Sequence, residues 1–428
     1  MAGPTSGALS ADGDTTLLTL RLIRAAAAIV PAAALLLTAA PAGSALAAAR
    51  PASTIKAGDG PEAIAVDTQT GSAWVADNAG GSVTEILGGK VRATIMLGST
   101  VSPLDVAVDS RTGTVWVADG SSGTVTEISA KTATVLGTVT LAGGVVNSIA
   151  VDPVHGEVFV TEINLGDLVE FSENHTATQH VVSGGNTPLA VAADSAARTA
   201  WVTDESGTVT EASYTATSLK ALHTLHVGGG PGAITADATT GLVFVAQNSG
   251  NAVAIISAAS RKVHAVKVGR APDSLAADPL HGDVWVASDN GDSLSQIRES
   301  TRRVTATYPL GFSPSRVAVQ PGAGVYAVNY EANAVTFLTA GLRIRAASSA
   351  SFTVGRHRSV LISAIGFPAP SLTLAGKLPA GLHWSGHGAS GRISGTPKHG
   401  TDGTYHLTLR ASTSWGRHAS KRLTLKVG

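Results

Sequence analysis

The segment Asp67–Ile86 reads DTQTGSAWVADNAGGSVTEI, and Asp109–Ile128 reads DSRTGTVWVADGSSGTVTEI. A chain that repeats itself at a fixed interval builds its fold from one unit, so the period constrains the architecture more than any other feature. The aromatic residue of the repeat recurs as Trp74, Trp116, Phe159, Trp201, Phe244, Trp285 and Tyr326, in steps of 42, 43, 42, 43, 41 and 41 residues. A proline stands at Pro61, Pro103, Pro188, Pro231, Pro272 and Pro314, with Val146 in the third copy. An aspartate keeps the same register at Asp67, Asp109, Asp152, Asp194, Asp237 and Asp278, with Gln320 in the seventh. Three markers in one register define seven copies.

Each copy holds short runs of Val, Ala, Ile and aromatic residues, such as AIAVD, SAWVAD, SVTEI and VRATIML, separated by Gly, Asn, Asp and Thr. Such runs read as strands joined by hairpins, and no 3.6-residue apolar period argues for helices. Four strands in about 42 residues is the period of a β-propeller blade. The competing architecture, a solenoid, needs polar terminal caps. Here the seventh copy has three strands, RVAVQ, VYAVN and AVTFLTA, and lacks the fourth. An orphan run, STIKAG (Ser53–Gly58), precedes the first copy and is similar to its fourth strand, ATIMLG (Ala93–Gly98). The orphan is expected to complete the seventh blade and close a ring, leaving no open interface between the first and last blade.

These repeats resemble the YVTN and NHL-type propeller repeats of bacterial secreted and surface proteins, and the streptogramin lyase group with its IAVD…G…W pattern, over about residues 53–341. The resemblance implies a seven-bladed propeller. It leaves function open, because such scaffolds host unrelated activities. The lyase resemblance implies histidines and a glutamate over the channel. The slots after the prolines hold Glu62, Leu104, Asn147, Leu189, Gly232, Asp273 and Ser315.

After residue 341 the repeat stops. Strand-like runs TYHLTLRAS and KRLTLKV alternate polar and apolar residues between Pro and Gly punctuation, which reads as a small β-sandwich. The string GFPAPSLTLAGKLPAGL…GRISGTP…GTYHLTLRA resembles the Ig-type, cadherin-like domain of bacterial surface proteins over residues 342–428. That family is associated with adhesion and spacing. Asp402 is the sole acid of the segment, so the calcium sites of some relatives are not expected. The fold class is therefore all-β: a seven-bladed propeller (53–341) followed by an Ig-like sandwich (342–428).

At the N-terminus, Arg21 and Arg24 precede the apolar run Ala25–Ala40, and Ser44–Ala47 supplies small residues. This is the layout of a signal peptide over 1–47, with a linker at 48–52. The apolar core is shorter than the roughly 20 residues of a membrane span and contains Pro31. The alternative is a retained anchor. A secreted, cell-wall-associated location is expected, and the lack of cysteine excludes disulfides and thiolate metal sites.

Charge separates the folded segments. From Leu342 onward twelve Lys and Arg face one acid, a net of +11, and the residues before them carry −11 in a chain of net charge zero. Such asymmetry points to a polyanionic partner or to docking between the segments. An anionic cell-wall polymer or membrane surface is expected to meet the basic domain, with Arg417, Lys421 and Arg422 as its contacts. No motif supports nucleic-acid binding, and a monomer is expected.

The Asp series Asp67–Asp278 opens D-x-x-x-G turns, where Asp accepts backbone N–H bonds, so its role is structural. The loops leading into the innermost strands place Glu62, Asp105, Asn147, Asp273 and Arg316 near the channel mouth as the candidate ligand site. His155 and His281 share one turn position, while His223, His226, His383 and His387 do not converge, so no metal or other cofactor is expected. These observations favour a non-enzymatic binding or scaffold protein, with the propeller as recognition face and the sandwich as tether. The alternative is a propeller enzyme, a lactonase or streptogramin-lyase-like activity at the channel mouth.

Overall fold

Val, Ile, Thr and aromatic residues in runs of five to seven suit a pleated, half-buried surface, and turn residues cut them before they lengthen. In the computed structural model, which describes residues 53–141, 143–174, 179–339 and 342–428, these runs form seven successive four-stranded antiparallel sheets. The signal segment and linker expected at 1–52 lie outside the described residues. Blades 1 to 6 begin at Pro61, Pro103, Val146, Pro188, Pro231 and Pro272, and in each the strands follow in chain order from the inner to the outer edge. Blade 7 takes its three inner strands from Arg316–Gln320, Gly324–Asn329 and Ala334–Thr339. Its fourth is Ser53–Lys56, paired Ser53 to Phe337 through Lys56 to Ala334. The orphan strand thus closes the ring. Ile55, Ile64, Val75 and Ile86 share a buried cluster with Tyr326, Val328 and Val335 across the seam.

The repeat aromatics build every blade interface. Trp74, Trp116, Phe159, Trp201, Phe244, Trp285 and Tyr326 are all buried, and each joins an apolar cluster that extends into the following blade. The repeat aspartates tie the turn beneath them. Asp67 Oδ1 accepts the N–H groups of Gln69 (2.9 Å) and Thr70 (3.3 Å), and Asp109, Asp152 and Asp194 repeat the arrangement. The turn ends in a left-handed residue, for which glycine carries no steric cost. Gly71 has φ +76°, while blade 4 places Arg198 there at +52°.

Residues 342–428 form two four-stranded sheets packed face to face. One contains Arg343–Arg345, Arg358–Ile365, Ser390–Gly395 and Leu382–His387. The other contains Ser349–Phe352, His418–Val427, Gly403–Ser412 and Ser371–Ala375, the first pair being parallel. Phe352, Ile362, Leu372, Ile393, Leu407, Leu409, Leu423 and Leu425 fill the space between them. The fold is a β-propeller with a C-terminal Ig-like sandwich.

Two loops at one end of the sandwich reach the propeller. Phe367 stacks on Trp285 of blade 6, and Trp415 stacks on His281 with ring centroids 5.2 Å apart. Tyr308 Oη accepts the Ala369 N–H at 2.6 Å. Contact between the two folds is therefore aromatic, although their net charges are opposite.

Candidate functional site at the channel mouth

The chain enters each inner strand of blades 1 to 6 through a register shift just after the proline position. A bulge re-aims side chains that a regular strand would bury. Glu62, Asn147 and Asp273 lie at such shifts, and Asp105 and Arg316 follow one position later in the repeat.

Four of the five residues expected at the mouth come together around one guanidinium. Arg316 Nη1 lies 2.7 Å from Asp273 Oδ2, and its Nη2 lies 3.5 Å from Glu62 Oε1. Arg316 thereby links blade 6 to blade 1 across blade 7. Asp105 stands within electrostatic reach of the same cation. Burial nevertheless raises its carboxyl above the ordinary range, against the Ile149 N–H (3.0 Å), the Ser148 hydroxyl (2.8 Å) and Arg316. Asn147 turns the other way, donating Nδ2–H to the Leu189 carbonyl of blade 4.

Two further residues share the Asp105 slot. Ser148 Oγ accepts the Val191 N–H at 3.4 Å, and Ser274 Oγ accepts the Val317 N–H at 3.2 Å. Each satisfies a backbone donor of the next blade that the sheet edge leaves unpaired. Their signal in the sequence is the repeat register itself, which aligns Ser148 and Ser274 with Asp105 and Arg316. Blades 1, 2, 3, 6 and 7 thus contribute polar side chains at the mouth, three carboxylates and one cation among them, while blades 4 and 5 place Leu189, Ala190, Gly232 and Ala233 there.

The second set of polar residues, three beyond each aromatic, is structural. Asp77 accepts from the Ser82 and Thr84 hydroxyls, Asp119 from the Ser102 N–H, and Asp204 from the Thr187 N–H.

The turn histidines line two equivalent clefts between blades. One, of about 500 Å³, is bordered by Thr240, His281, Arg298, Glu299 and Arg302. The other, of about 300 Å³, is bordered by Arg111, Thr112, His155, Ser172 and Glu173. His281 Nδ1 lies 2.7 Å from Asp278 Oδ2, and His155 Nδ1 lies 2.5 Å from Asp152 Oδ2. Burial, with Asp237 alongside, pushes Glu299 up to about 7. Burial and the neighbouring Asp109 do the same to Glu173. Among the described residues no group of three or more His, Asp or Glu side chains is arranged to hold a metal ion.

The three basic residues expected to meet a polyanion are not gathered on one face. Arg417 sits in the hairpin that carries Trp415, where the Thr413 N–H donates to its carbonyl. Lys421 is half-buried and donates from Nζ to the Ala346 carbonyl at 2.5 Å. Arg422 is exposed on the opposite face of the same strand, because side chains alternate along it.

A family model described as "Putative Ig domain" matches residues 338–428. No curated protein matches the chain in sequence. Among solved structures, virginiamycin B lyase from Staphylococcus aureus is 17% identical, covering 65% of this chain and 94% of that chain, with a TM-score of 0.56. A streptogramin B lyase structure is 12% identical over 66% of this chain and 94% of that one, at a TM-score of 0.57. A chain of the mitotic checkpoint complex is 14% identical over 72% of this chain and 98% of that one, at 0.61. At these identities the likeness concerns the fold, which unrelated functions share.

Proposed function

We propose that this chain is an exported, non-enzymatic binding protein. Its propeller offers the channel mouth as a recognition face, and its Ig-like domain holds that face near an anionic surface. The repeats that carry this reading are of the YVTN and NHL type. The observation behind it is how the mouth uses its charges. Arg316 is held between Asp273 and Glu62, and Asp105 is held by Ser148 and the Ile149 N–H. Groups locked to one another on a rigid ring suit recognition of a polar ligand better than they suit a proton-transfer cycle.

A second reading, a lyase-like enzyme at the mouth, draws on the raised Asp105 carboxyl and on the fold shared with streptogramin lyases. One of those structures is a catalytically inactive histidine-to-alanine variant in complex with quinupristin. The inner strands of this propeller carry no histidine in their sequences, which weighs against the same chemistry here.

Two measurements on the full chain separate these readings. Retention on washed bacterial cell walls, without turnover of quinupristin, is expected. Steady turnover of quinupristin that disappears in Asp105→Asn would overturn the binding reading.

A further inference from the structure

The sandwich presents one sheet face whose two central strands are cationic, hydroxyl-rich and free of carboxylates, with its one acid, Asp402, just before the strand Gly403–Ser412. Leu407, Leu409 and Ala411 of Gly403–Ser412, and Leu423, Leu425 and Val427 of His418–Val427, point into the core. Alternation therefore turns Thr404, His406, Thr408, Arg410, Arg422, Thr424 and Lys426 outward. Arg410, Arg422 and Lys426 are exposed. The register sets Ser420 beside Arg410, Thr408 beside Arg422 and Thr404 beside Lys426. At about 3.4 Å per residue, the three cations span roughly 20 Å along the strands.

Among the described residues no ion pair reaches Arg410, Arg422 or Lys426. The carboxylates of the propeller are mostly spent inside it. Glu85 pairs with Arg92, Glu170 with His180, Glu211 with Arg261 and Asp283 with Arg298, and all four acids are buried. Propeller and sandwich meet instead through Phe367 and Trp415, at one end of the sandwich, so among the described residues the sheet face is left open.

We infer that this face binds a chain-like polymer of phosphodiesters, such as a polyol phosphate of a cell wall. The inference rests on the reading of the protein as an exported binding protein. Arginine forks match phosphate oxygens in pairs, and neighbouring threonine hydroxyls donate to the remaining oxygens and to polyol hydroxyls. A membrane surface fits less well, because interfacial binding adds buried apolar side chains and none stands among the outward residues of these two strands. Single-stranded nucleic acid fits less well too, since base stacking needs aromatic platforms.

The test uses the full chain with immobilised poly(glycerol phosphate) across a salt series. Arms with poly-glutamate, phosphatidylglycerol vesicles and duplex DNA run in parallel. The triple variant Arg410→Ser, Arg422→Ser, Lys426→Ser is expected to bind the polyphosphate at least about tenfold more weakly at low salt. Its salt dependence should also become shallower by about two released counterions. A control triple on the other sheet, Arg343→Ser, Arg345→Ser, Arg392→Ser, removes equal charge and should change affinity less than about threefold. These are surface substitutions, and unchanged thermal unfolding checks that both variants fold. Equal losses in the two triples would overturn the inference, as would no binding by the unaltered chain or tighter binding to any other arm. If wall retention persists while polyphosphate binding fails, the binding reading stands and this face is wrong. If polyphosphate binds while walls do not retain the protein, the binding reading fails and the face stands.

Discussion

Phe367 lies stacked on Trp285, ring centroids 4.8 Å apart and planes 29° from parallel, one ring from each fold. Between blades 3 and 4 the corresponding place is filled from within the propeller. There Tyr214 packs on Phe159 at 4.7 Å and donates its hydroxyl to Asp152. At blade 6 the sandwich supplies the rings, bringing Phe367 and Trp415 to Trp285. The sandwich is thus part of the propeller's packing. Phe367→Ala should cost about 3–5 kcal/mol, as large-to-small changes at buried aromatics do. Thermal unfolding of the full chain should show the propeller transition at lower temperature. An unchanged transition in Phe367→Ala would mean that the stacking carries no stability.

The seam makes a second expectation. Ile55 is buried against Val335 and Tyr326, and its strand supplies the outer edge of blade 7. Ile55→Ala should destabilise by about 2–5 kcal/mol. Removal of Ser53–Lys56 should lower the melting temperature further, because it also strips the backbone partners of Ala334–Phe337. Equal melting temperatures with and without this strand would show that the ring is closed by other means.

The ring was legible because its evidence is periodic. Three markers in one register located seven units, and the missing strand of the last copy pointed to Ser53–Lys56. The interface between the two folds was not legible. Phe367 and Trp415 sit in loops, where no period relates a residue to its neighbours, and nothing local distinguishes an aromatic that packs on another domain. The channel mouth was legible in part. Repeat alignment placed Glu62, Asp105, Asp273 and Arg316 near one opening, but the pairing of Arg316 with both Asp273 and Glu62 depends on which blades are adjacent in the closed ring. Formal charge carries no information on burial: of the acids in the count of −11, Asp67, Asp77, Glu85, Asp109, Asp152 and Glu170 are buried.

Arg316 offers a test of the mouth itself. Removing it takes the nearby cation away from Asp273, Glu62 and Asp105. Arg316→Ala should destabilise by about 1.5–3 kcal/mol, the range for hydrogen bonds to charged groups. It should also raise the Asp105 carboxyl further, since the cation is one of the influences holding it down. Arg316→Lys should recover only part of the loss, because one ammonium lacks the fork that reaches two carboxylates. Denaturant unfolding and carboxyl titration by NMR would measure both effects. Full recovery by lysine would show that charge alone matters and that bridging blades 6 and 1 does not.

Buried carboxyls set the pH response. Burial and the adjoining Glu170 push Glu157 up to about 8, and Glu173 and Glu299 are pushed up to about 7. In the unfolded chain these groups release their protons near 4.5. Between that pH and the folded values the native state holds more protons than the unfolded state, so stability falls as pH rises. The contribution is fully present below about pH 4.5 and is lost through about pH 7 to 8. Asp77 and Asp283, both pushed up to about 6 by burial, add to the fall at its acidic end. Asp204 acts elsewhere: burial pulls its carboxyl up, but hydrogen bonds from Ser206 and the Thr187 N–H hold it below its ordinary value. Its contribution is lost only in strong acid. The melting temperature should therefore be lower at about pH 8.5 than at about pH 6. Glu157→Gln combined with Glu299→Gln, which cannot ionise, should flatten that decline. A melting temperature that rises across the interval, or a double variant with the same slope, would place the titrating groups elsewhere.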